Sequence, residues 1–309
     1  MSAPTRAQTT DDIRGWLLDV NRAAQQQTFV GTMVVQSGAD MVSAKIWHID
    51  HNGVALERVD LLSGEPHTTM RKGETVFGVD HANKVVRQER RSDLGLFPAV
   101  RGSAGERVAQ HYVMQSLSAT RVAGRATVGV ALQAKDAWRH SYRIWRDVNS
   151  GLVLKWQTVS TTSGDVLEQV AYSDIAVASG IDVPQMQAWQ QVPKNYMVMR
   201  KDTQSFEAGA LGWQQRAPVA GFESGMVNKP RLNGQLIDGA PAQWLFSDGL
   251  ASVSLFVEPL SARGQRQPSA VLLGATSSVS AAVPPMWVTA VGEAPVATLR
   301  ALLTSVQFQ

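Results

Sequence analysis

The stretch Ser247-Asp248-Gly249 sets a hydroxyl beside a carboxylate, an arrangement found in the active sites of hydrolases. A serine nucleophile also needs a base within hydrogen-bond reach, usually a histidine, and often sits in a G-x-S-x-G turn. The chain has no G-x-S-x-G sequence, and its six histidines all lie at or before position 140. The alternative is a β-hairpin with Asp248 and Gly249 as the two central residues of a type I′ turn, which pairs Trp244 with Val253. We favour the hairpin because it also collects the apolar residues of both strands on one face.

Two pairs of side chains have spacings that invite a metal or acid–base interpretation. His48 and His51 are three residues apart, as are Glu57 and Asp60. Residues three apart on a strand point to opposite faces, so neither pair is suited to hold one ion. The chain also has no cysteine and no phosphate-binding or dinucleotide-binding glycine motif. We therefore expect no metal, no cofactor and no catalytic residue, and a binding protein rather than an enzyme.

The composition is typical of a folded, soluble protein, and the length is sufficient for two domains. It has 309 residues, of which 44% are hydrophobic and 18% charged, with a net charge of +3. The densest basic group, Arg87, Arg90 and Arg91, fits either a solvated edge or a contact with an anionic ligand, and nucleic acid is not an expected partner. No apolar run is long enough to span a membrane. The first ten residues lack the apolar stretch of a signal peptide, so either the protein is cytosolic or its leader is missing.

Apolar spacing predicts one helix followed by a long run of strands. Residues Asp11–Gln25 carry an apolar stripe of helical period. The predicted strands that follow are Phe29–Gln36, Val42–Ile49, Val54–Leu61, Thr75–Val79, Lys84–Gln88, His111–Leu117, Arg125–Ala131, Trp138–Arg146, Leu152–Ser160 and Val166–Tyr172. Between the fifth and sixth strands, the loop Ser92–Glu106 is long enough to be either a functional lid or a disordered excursion. An antiparallel meander with one apolar face is expected to curl round a helix or round a ligand.

The rhythm of the sequence changes at residue 181. Residues 181–210 are predicted to be a linker with a short helix at Gln185–Gln191. A second β-rich domain follows at 211–309, with a strand at Trp287–Val291 and a last helix beginning at Pro295. The first domain then spans 10–180. The predicted fold class is mainly β: a half-open antiparallel barrel wrapping helices, and a smaller antiparallel sheet with a terminal helix.

Several stretches resemble a known family, the RseB/MucB periplasmic regulators of the envelope-stress sigma factor. They are FVGTMVVQSG at 29–38, ERVDLLSGEP at 57–66, RVAGR at 121–125, YRIWRDVNSGLVLKW at 142–156, GDVLEQVAY at 164–172, FSDGLASVSLFVE at 246–258 and VGEAPVATL at 291–299. The resemblance covers roughly residues 12 to 306. The first domain is also similar to the LolA-like lipoprotein carriers of the periplasm.

The resemblance implies a regulator without catalytic activity, exported to the periplasm. Such a protein binds the periplasmic part of a transmembrane anti-sigma factor, protects it from proteolysis, and is released by lipidic signals such as lipopolysaccharide. The alternative function is a periplasmic carrier or chaperone for lipids or lipoproteins. Self-association is compatible with either function.

These implied roles select two sets of candidate binding residues. For the acyl chains and phosphates of a lipid, the candidates are Val34, Trp47, Phe77, Arg87, Arg90, Arg91, Tyr142, Leu154 and Trp156. For the anti-sigma factor, they are Trp213, Phe222, Leu245, Ser252, Ser254 and Phe256. The apolar members of the first set have a second interpretation as ordinary core.

Overall fold

We describe the protein from a computed structural model, in which residues 10–90, 104–178, 181, 183–189, 191–200, 202–232, 234–260 and 267–309 are described. In the first half of the chain the elements are α1 Thr10–Gln26, β1 Phe29–Ser37, β2 Asp40–His51, β3 Val54–Leu61, β4 His67–Lys72, β5 Thr75–Asp80, β6 Val85–Arg90, α2 Ala104–His111, β7 Tyr112–Val122, β8 Arg125–Ala134, β9 Ser141–Asp147, β10 Val153–Val159 and β11 Val166–Val177. They are followed by α3 Val183–Trp189, β12 Met197–Arg200, β13 Asp202–Phe206, a short 3₁₀ helix Ala208–Leu211, β14 Trp213–Gln215, β15 Glu223–Leu232, β16 Gln235–Leu236, β17 Ala242–Ser247, β18 Ser252–Pro259, β19 Ser269–Leu273, β20 Thr276–Val283, β21 Met286–Gly292, α4 Val296–Ser305 and β22 Val306–Phe308.

The first twelve strands form one sheet in the order β12-β6-β5-β4-β3-β2-β1-β11-β10-β9-β8-β7. All the pairings are antiparallel except that of β12 with β6. The mainly β architecture is therefore confirmed. Among the described residues the sheet is open, with β7 and β12 as its edges, so the predicted half-open barrel is not confirmed.

The predicted first helix and ten strands are confirmed, with shifts of a few residues at their ends. Two elements were missed. Strand β4, His67–Lys72, is rich in polar residues and lacks the apolar alternation that marks its neighbours. Helix α2 begins at Ala104, within the predicted loop Ser92–Glu106, of which residues 92–103 lie outside the described part of the chain.

The two faces of the first sheet are covered by different parts of the chain. Helices α1 and α2 pack on one face, which we call the inner face, with Ile13 and Leu17 in one buried cluster with Ile144 and Trp156. Helix α3 packs on the opposite, outer face of β2 and β3, and its Met186 is fully buried there. Both faces therefore carry apolar residues.

The second sheet has the order β13-β15-β17-β18-β21-β20-β19, with β16 beside β15. Its core contains Trp244, Phe246, Val253 and Leu255, packed with apolar residues of α4, including Leu299. The predicted strand at Trp287–Val291 and the helix after Pro295 are confirmed as β21 and α4. No helix in the described part of the chain is both long and apolar enough to cross a bilayer.

The segment predicted to be a linker carries regular structure. Helix α3 and β12 belong to the first sheet and its outer face, whereas β13 joins the second sheet. The chain therefore leaves the first sheet after Arg200 and has entered the second sheet by Asp202. The domain division at 180 and 211 stays a prediction.

The hairpin at Asp248 exists, but its predicted turn type and register are wrong. Trp244 pairs with Leu255 and Ser247 with Ser252, so the loop holds four residues rather than two. Gly249 has a positive φ of 101°, but Asp248 does not have the positive φ that a type I′ turn needs. The cause is the Asp248 carboxylate, whose Oδ1 accepts hydrogen bonds from the backbone N–H groups of Leu250 and Ala251 at 2.9 and 2.7 Å. A shift of two residues preserves the faces, so the prediction that the apolar residues share one face is confirmed.

Candidate functional site

A small cavity of about 70 Å³ lies between α1 and the inner face of the first sheet. Its walls are mostly apolar side chains from the helix and from five strands or their flanks. They include Val20, Ala24, Phe29, Ile46, Leu152, Val153 and Ile175. An apolar cleft between a helix and a sheet is the kind of site in which a protein binds an apolar ligand.

A row of polar side chains crosses the wall of this cavity. His48, Glu57 and Arg71 are direct cross-strand neighbours on β2, β3 and β4. The His48 ring stacks on Phe29 with centroids 5.3 Å apart, and its Nδ1 lies 3.7 Å from a Glu57 oxygen. All three polar side chains are largely buried. The cavity therefore combines an apolar wall with a charged, hydrogen-bonding one.

Tyr142, Leu154 and Trp156 lie on the inner face but outside the wall of this cavity. They are at most 7% exposed, and the rings of Tyr142 and Trp156 are 4.8 Å apart. Burial raises the pKa of the Tyr142 hydroxyl well above its usual value. Tyr142 and Trp156 belong to the buried cluster that includes residues of α1 and α2, and Leu154 belongs to a second buried cluster with Ala23 of α1.

Three other lipid candidates lie on the outer face. Trp47 is a direct neighbour of Arg58 and contacts Trp189 of α3, with ring centroids 5.4 Å apart. Phe77 packs with Met70, and Val34 shares the same face of the sheet. The structure therefore does not bring these three side chains together with the cavity.

The three arginines near the sheet edge have different surroundings. Arg87 is exposed, whereas Arg90 forms an ion pair with Glu74 at 2.6 Å. Arg91 lies outside the described residues. The structure thus places Arg87 and Arg90 on the exposed end of β6, away from the lining of the cavity.

The contact between the two domains is built round Asp248, which is fully buried. Its Oδ2 accepts a hydrogen bond from the Tyr112 hydroxyl at 2.8 Å and one from Arg139 Nη1 at 2.7 Å. The buried Arg139 also donates from Nε to Asp136 and from Nη2 to the carbonyl of Ala220. We call Tyr112, Asp136, Arg139 and Asp248 the interdomain cluster.

Charge and burial act in opposite directions on the interdomain cluster. Burial alone lowers the pKa of the Arg139 guanidinium, but its hydrogen bond to Asp136 and the charge of Asp248 raise that pKa above its usual value. Burial raises the pKa of the Tyr112 hydroxyl well above its usual value. Tyr112 is thus a hydrogen-bond donor and Arg139 a cation at any physiological pH, so the cluster is a stable, charge-assisted contact.

Apolar and backbone contacts extend this junction on both sides. Leu250, at the tip of the hairpin loop, is buried in the first domain's cluster with Ile13 and Leu17 of α1. On the other side, the Thr298 hydroxyl of α4 donates to the carbonyl of Trp138 at 2.6 Å. Helix α1 consequently shares a buried cluster with Leu250 through its first turns and lines the cavity with its last turns.

The candidates for anti-sigma factor binding fall into two groups. Trp213 and Phe222 are 5% and 3% exposed and belong to the second domain's core. Leu245 is 38% exposed and shares the open face of the second sheet with its direct neighbour Ser254. Ser252 and Phe256 lie on that same open face. The structure brings the last four side chains together and places the first two beneath the surface.

Sequence reasoning did not bring together the residues that build these sites. His48 and Glu57 entered only as members of two rejected pairs, and the register of β2, β3 and β4 places them beside Arg71. Arg139 and Asp248 are 109 positions apart. The sequence offers no clear signal for this pair, because Arg139 lies in the polar stretch KDAWRHSYR and Asp248 lies in a turn beside Gly249. No cluster of potential metal ligands occurs within the part of the chain that the structure describes.

Comparison with known proteins gives matches over both domains. Residues 12–193 match the MucB/RseB N-terminal domain and residues 207–307 match the MucB/RseB C-terminal domain. The chain is 25% identical over 304 residues to the sigma factor AlgU regulatory protein MucB of Pseudomonas aeruginosa, covering 96% of this chain and 91% of that protein. It is 23% identical over 303 residues to the sigma-E factor regulatory protein RseB of Salmonella typhimurium, covering 97% and 92% of the two chains.

Solved structures share the overall fold. The MucB chain in the complex of Pseudomonas aeruginosa MucA and MucB superimposes with a TM-score of 0.74 at 23% identity, covering 96% of this chain and 99% of that one. A crystal structure of MucB superimposes with a TM-score of 0.66 at 22% identity, covering 97% and 98%. The likeness therefore extends over both domains.

Proposed function

The chain belongs to the MucB/RseB family, and we infer from this membership that it is a negative regulator of an envelope-stress sigma factor. It acts in the periplasm by binding the periplasmic part of a transmembrane anti-sigma factor and protecting it from proteolysis. The observation that carries the proposal is the match of both family domains, in order, over nearly the whole chain. Relatives named as sigma factor regulators, and a solved MucA/MucB complex, support the same role.

The cavity supports a lipidic ligand as the signal that releases the partner. Its apolar wall suits an acyl chain, and the row of His48, Glu57 and Arg71 offers hydrogen bonds to a polar group at the chain's end. A volume of about 70 Å³ admits only part of an acyl chain, so a longer one has to displace α1 from the sheet.

Displacement of α1 connects the cavity to the domain junction. Ile13 and Leu17 of the same helix belong to one buried cluster with Leu250. A ligand that moves α1 therefore weakens the contact that fixes the two domains relative to each other. If the partner binds both domains, lipid and partner oppose each other, and each lowers the affinity of the other by the same factor.

A reconstituted proteolysis assay tests this function. The periplasmic segment of the organism's single-pass anti-sigma factor is incubated with its protease, with and without the purified chain, and lipopolysaccharide is then added. We expect protection by the chain and loss of protection with lipopolysaccharide. If the chain neither binds nor protects the segment, the proposed regulatory function is wrong.

Filling the cavity separates the lipid part of the proposal from the rest. Ala24→Phe puts a large ring into the cavity wall, so protection should persist while lipopolysaccharide loses its effect. Ala176→Phe, on a strand of the same sheet but absent from the cavity lining, is the matched control. If the Ala24 variant responds to lipopolysaccharide like the wild type, the lipid does not bind in this cavity.

The alternative function, a carrier of lipids or lipoproteins, draws on the same cavity. A pull-down from an envelope extract distinguishes the two. Recovery of a single-pass anti-sigma factor supports the regulator, and recovery of acylated cargo alone supports the carrier.

A further inference from the structure

One short segment of the chain forms an edge strand of both sheets. Strand β12, Met197–Arg200, is the last strand of the first sheet, and β13, Asp202–Phe206, is the last strand of the second. They are separated by a single residue. Every residue of β12 is exposed, as are the first four residues of β13. We call these two strands the shared edge.

The shared edge presents unused backbone hydrogen-bonding groups. The Met197 N–H donates to the Lys84 carbonyl at 2.9 Å, toward β6. Because successive residues of a strand direct their N–H and C=O groups to opposite sides, those of Val198 point away from the sheet. No strand of the described residues pairs with that side. Such an edge accepts an additional strand from another chain.

The side chains of the first half of the shared edge are apolar. Met197, Val198 and Met199 are 59%, 43% and 49% exposed. Natural edge strands are normally protected by proline, inward-pointing charges or a covering loop, and β12 contains no proline. Methionine side chains adapt to varied partners, which makes an exposed Met-Val-Met strand suited to binding a peptide.

The charges round β12 indicate the character of the partner. Four exposed basic residues belong to β6, β12 or the segments just before them: Lys84, Arg87, Lys194 and Arg200. The ion pairs among the described residues involve none of these four cations. Nearby carboxylates are Asp80, which interacts with Arg87, Glu89 on β6, and the exposed Asp202 that begins β13, so the four cations outnumber these three carboxylates by one. The edge therefore keeps an excess of positive charge that an acidic segment complements.

From the free backbone groups, the apolar side chains and the positive charge, we propose that the shared edge binds an acidic, extended segment of the anti-sigma factor as an added β-strand. This inference rests on the proposed function and names the partner's binding site. A strand added along both β12 and β13 contacts both sheets at once. Its binding then depends on the relative orientation of the two domains, and any ligand that changes this orientation moves β12 and β13 relative to each other.

The first experiment compares backbone variants of the full chain. Val198→Pro removes the outward N–H and leaves the pairing of Met197 with β6, whereas Val198→Thr keeps the N–H. Calorimetry with the synthetic periplasmic segment of the anti-sigma factor should show about tenfold weaker binding for the proline variant. The threonine variant should bind nearly as tightly as the wild type, and both should keep the wild-type melting temperature.

The second experiment requires no variant and remains decisive if Val198→Pro fails to fold. Hydrogen exchange of the wild-type chain with the same segment should show new protection at Val198 and along β13. Binding without protection there overturns the shared edge but keeps the proposed function. Absence of any binding overturns both.

Charge reversal tests the character of the partner. Arg87→Glu combined with Arg200→Glu should weaken binding of the segment and reduce its salt dependence, whereas Arg121→Glu, on β7, should not. Vesicles containing phosphatidylglycerol are tested in parallel. If the double variant loses vesicle binding and keeps peptide binding, the cations serve a membrane surface, and the proposal of an acidic peptide is wrong.

Discussion

Replacing Asp248 by alanine tests whether the interdomain cluster holds the two domains together. The change removes the carboxylate that accepts hydrogen bonds from Tyr112 and Arg139 and leaves the Arg139 charge in a fully buried position. Removing one partner of a buried ion pair costs about 3–5 kcal/mol. Arg139 retains its hydrogen bonds to Asp136 and to the carbonyl of Ala220, so we expect a loss near the lower limit, about 3 kcal/mol.

The loss should appear as separation of the two domains. In urea, the Asp248→Ala variant should unfold in two transitions, with the second domain first, and limited proteolysis should release the domains as separate fragments. Asp165→Ala, at an exposed turn of the first domain, is the matched control and should change stability by less than about 0.5 kcal/mol.

A double replacement isolates the cause. Arg139→Met combined with Asp248→Leu removes both charges, so it should cost less than Asp248→Ala alone, since no unpaired charge stays buried. If Asp248→Ala unfolds like the wild type, or if the double variant is the less stable of the two, the buried ion pair does not fix the junction.

Three further changes test the packing and the titration of this fold. Burial lowers the pKa of His140 from 6.5 to about 4, so the unfolded chain binds this proton more tightly, and stability should fall as the pH drops from about 6.5 toward 4. The free energy of unfolding measured in urea should fall by about 2 kcal/mol between pH 7 and pH 5. If His140 is the cause, the stability difference between the wild type and His140→Leu should be smaller at pH 5 than at pH 7. Gly221→Ala should destabilise the domain junction in thermal melts, because a Cβ there would lie 2.6 Å from the His111 ring. Gly239→Ala, which has a similar positive φ and open surroundings, is the control and should lower stability only through backbone strain. Leu154→Ala should lower the free energy of unfolding by about 2–5 kcal/mol, and a smaller effect by calorimetry would show that this fully buried residue can be replaced without leaving a cavity.

The local structure of this protein was predictable because it depends on short-range alternation. The period-two pattern gave most strands of the first sheet, and the helical stripe of Ile13 and Leu17 gave α1. Strand β4 is not predictable from the sequence because its pattern is polar. Pairing with its neighbouring strands stabilises it, rather than its own β propensity.

The choice of face was less predictable, since alternation separates two faces without showing what covers each of them. Trp47 and Phe77 were assigned to a lipid-binding face because they are large and apolar. Their strands place them on the outer face, where Trp47 packs against Trp189 of α3. A sheet with apolar residues on both sides gives no sequence signal for the side that holds a cavity.

The hairpin at Asp248 shows the same limit in its turn. The sequence Asp-Gly favours a two-residue turn, and local chemistry alone would select it. The folded chain instead uses the Asp248 carboxylate to hold a four-residue loop and to bind Arg139.

The sequence by itself determined the mainly β architecture and the family of this protein, because alternation, turn residues and family motifs are properties of neighbouring residues. Only the tertiary structure decided where the cavity lies, which side chains join the domains, and that β12 and β13 leave a shared edge open. These features depend on contacts between residues distant in sequence, such as Arg139 with Asp248, and no local pattern encodes the strand register and helix placement that bring them together.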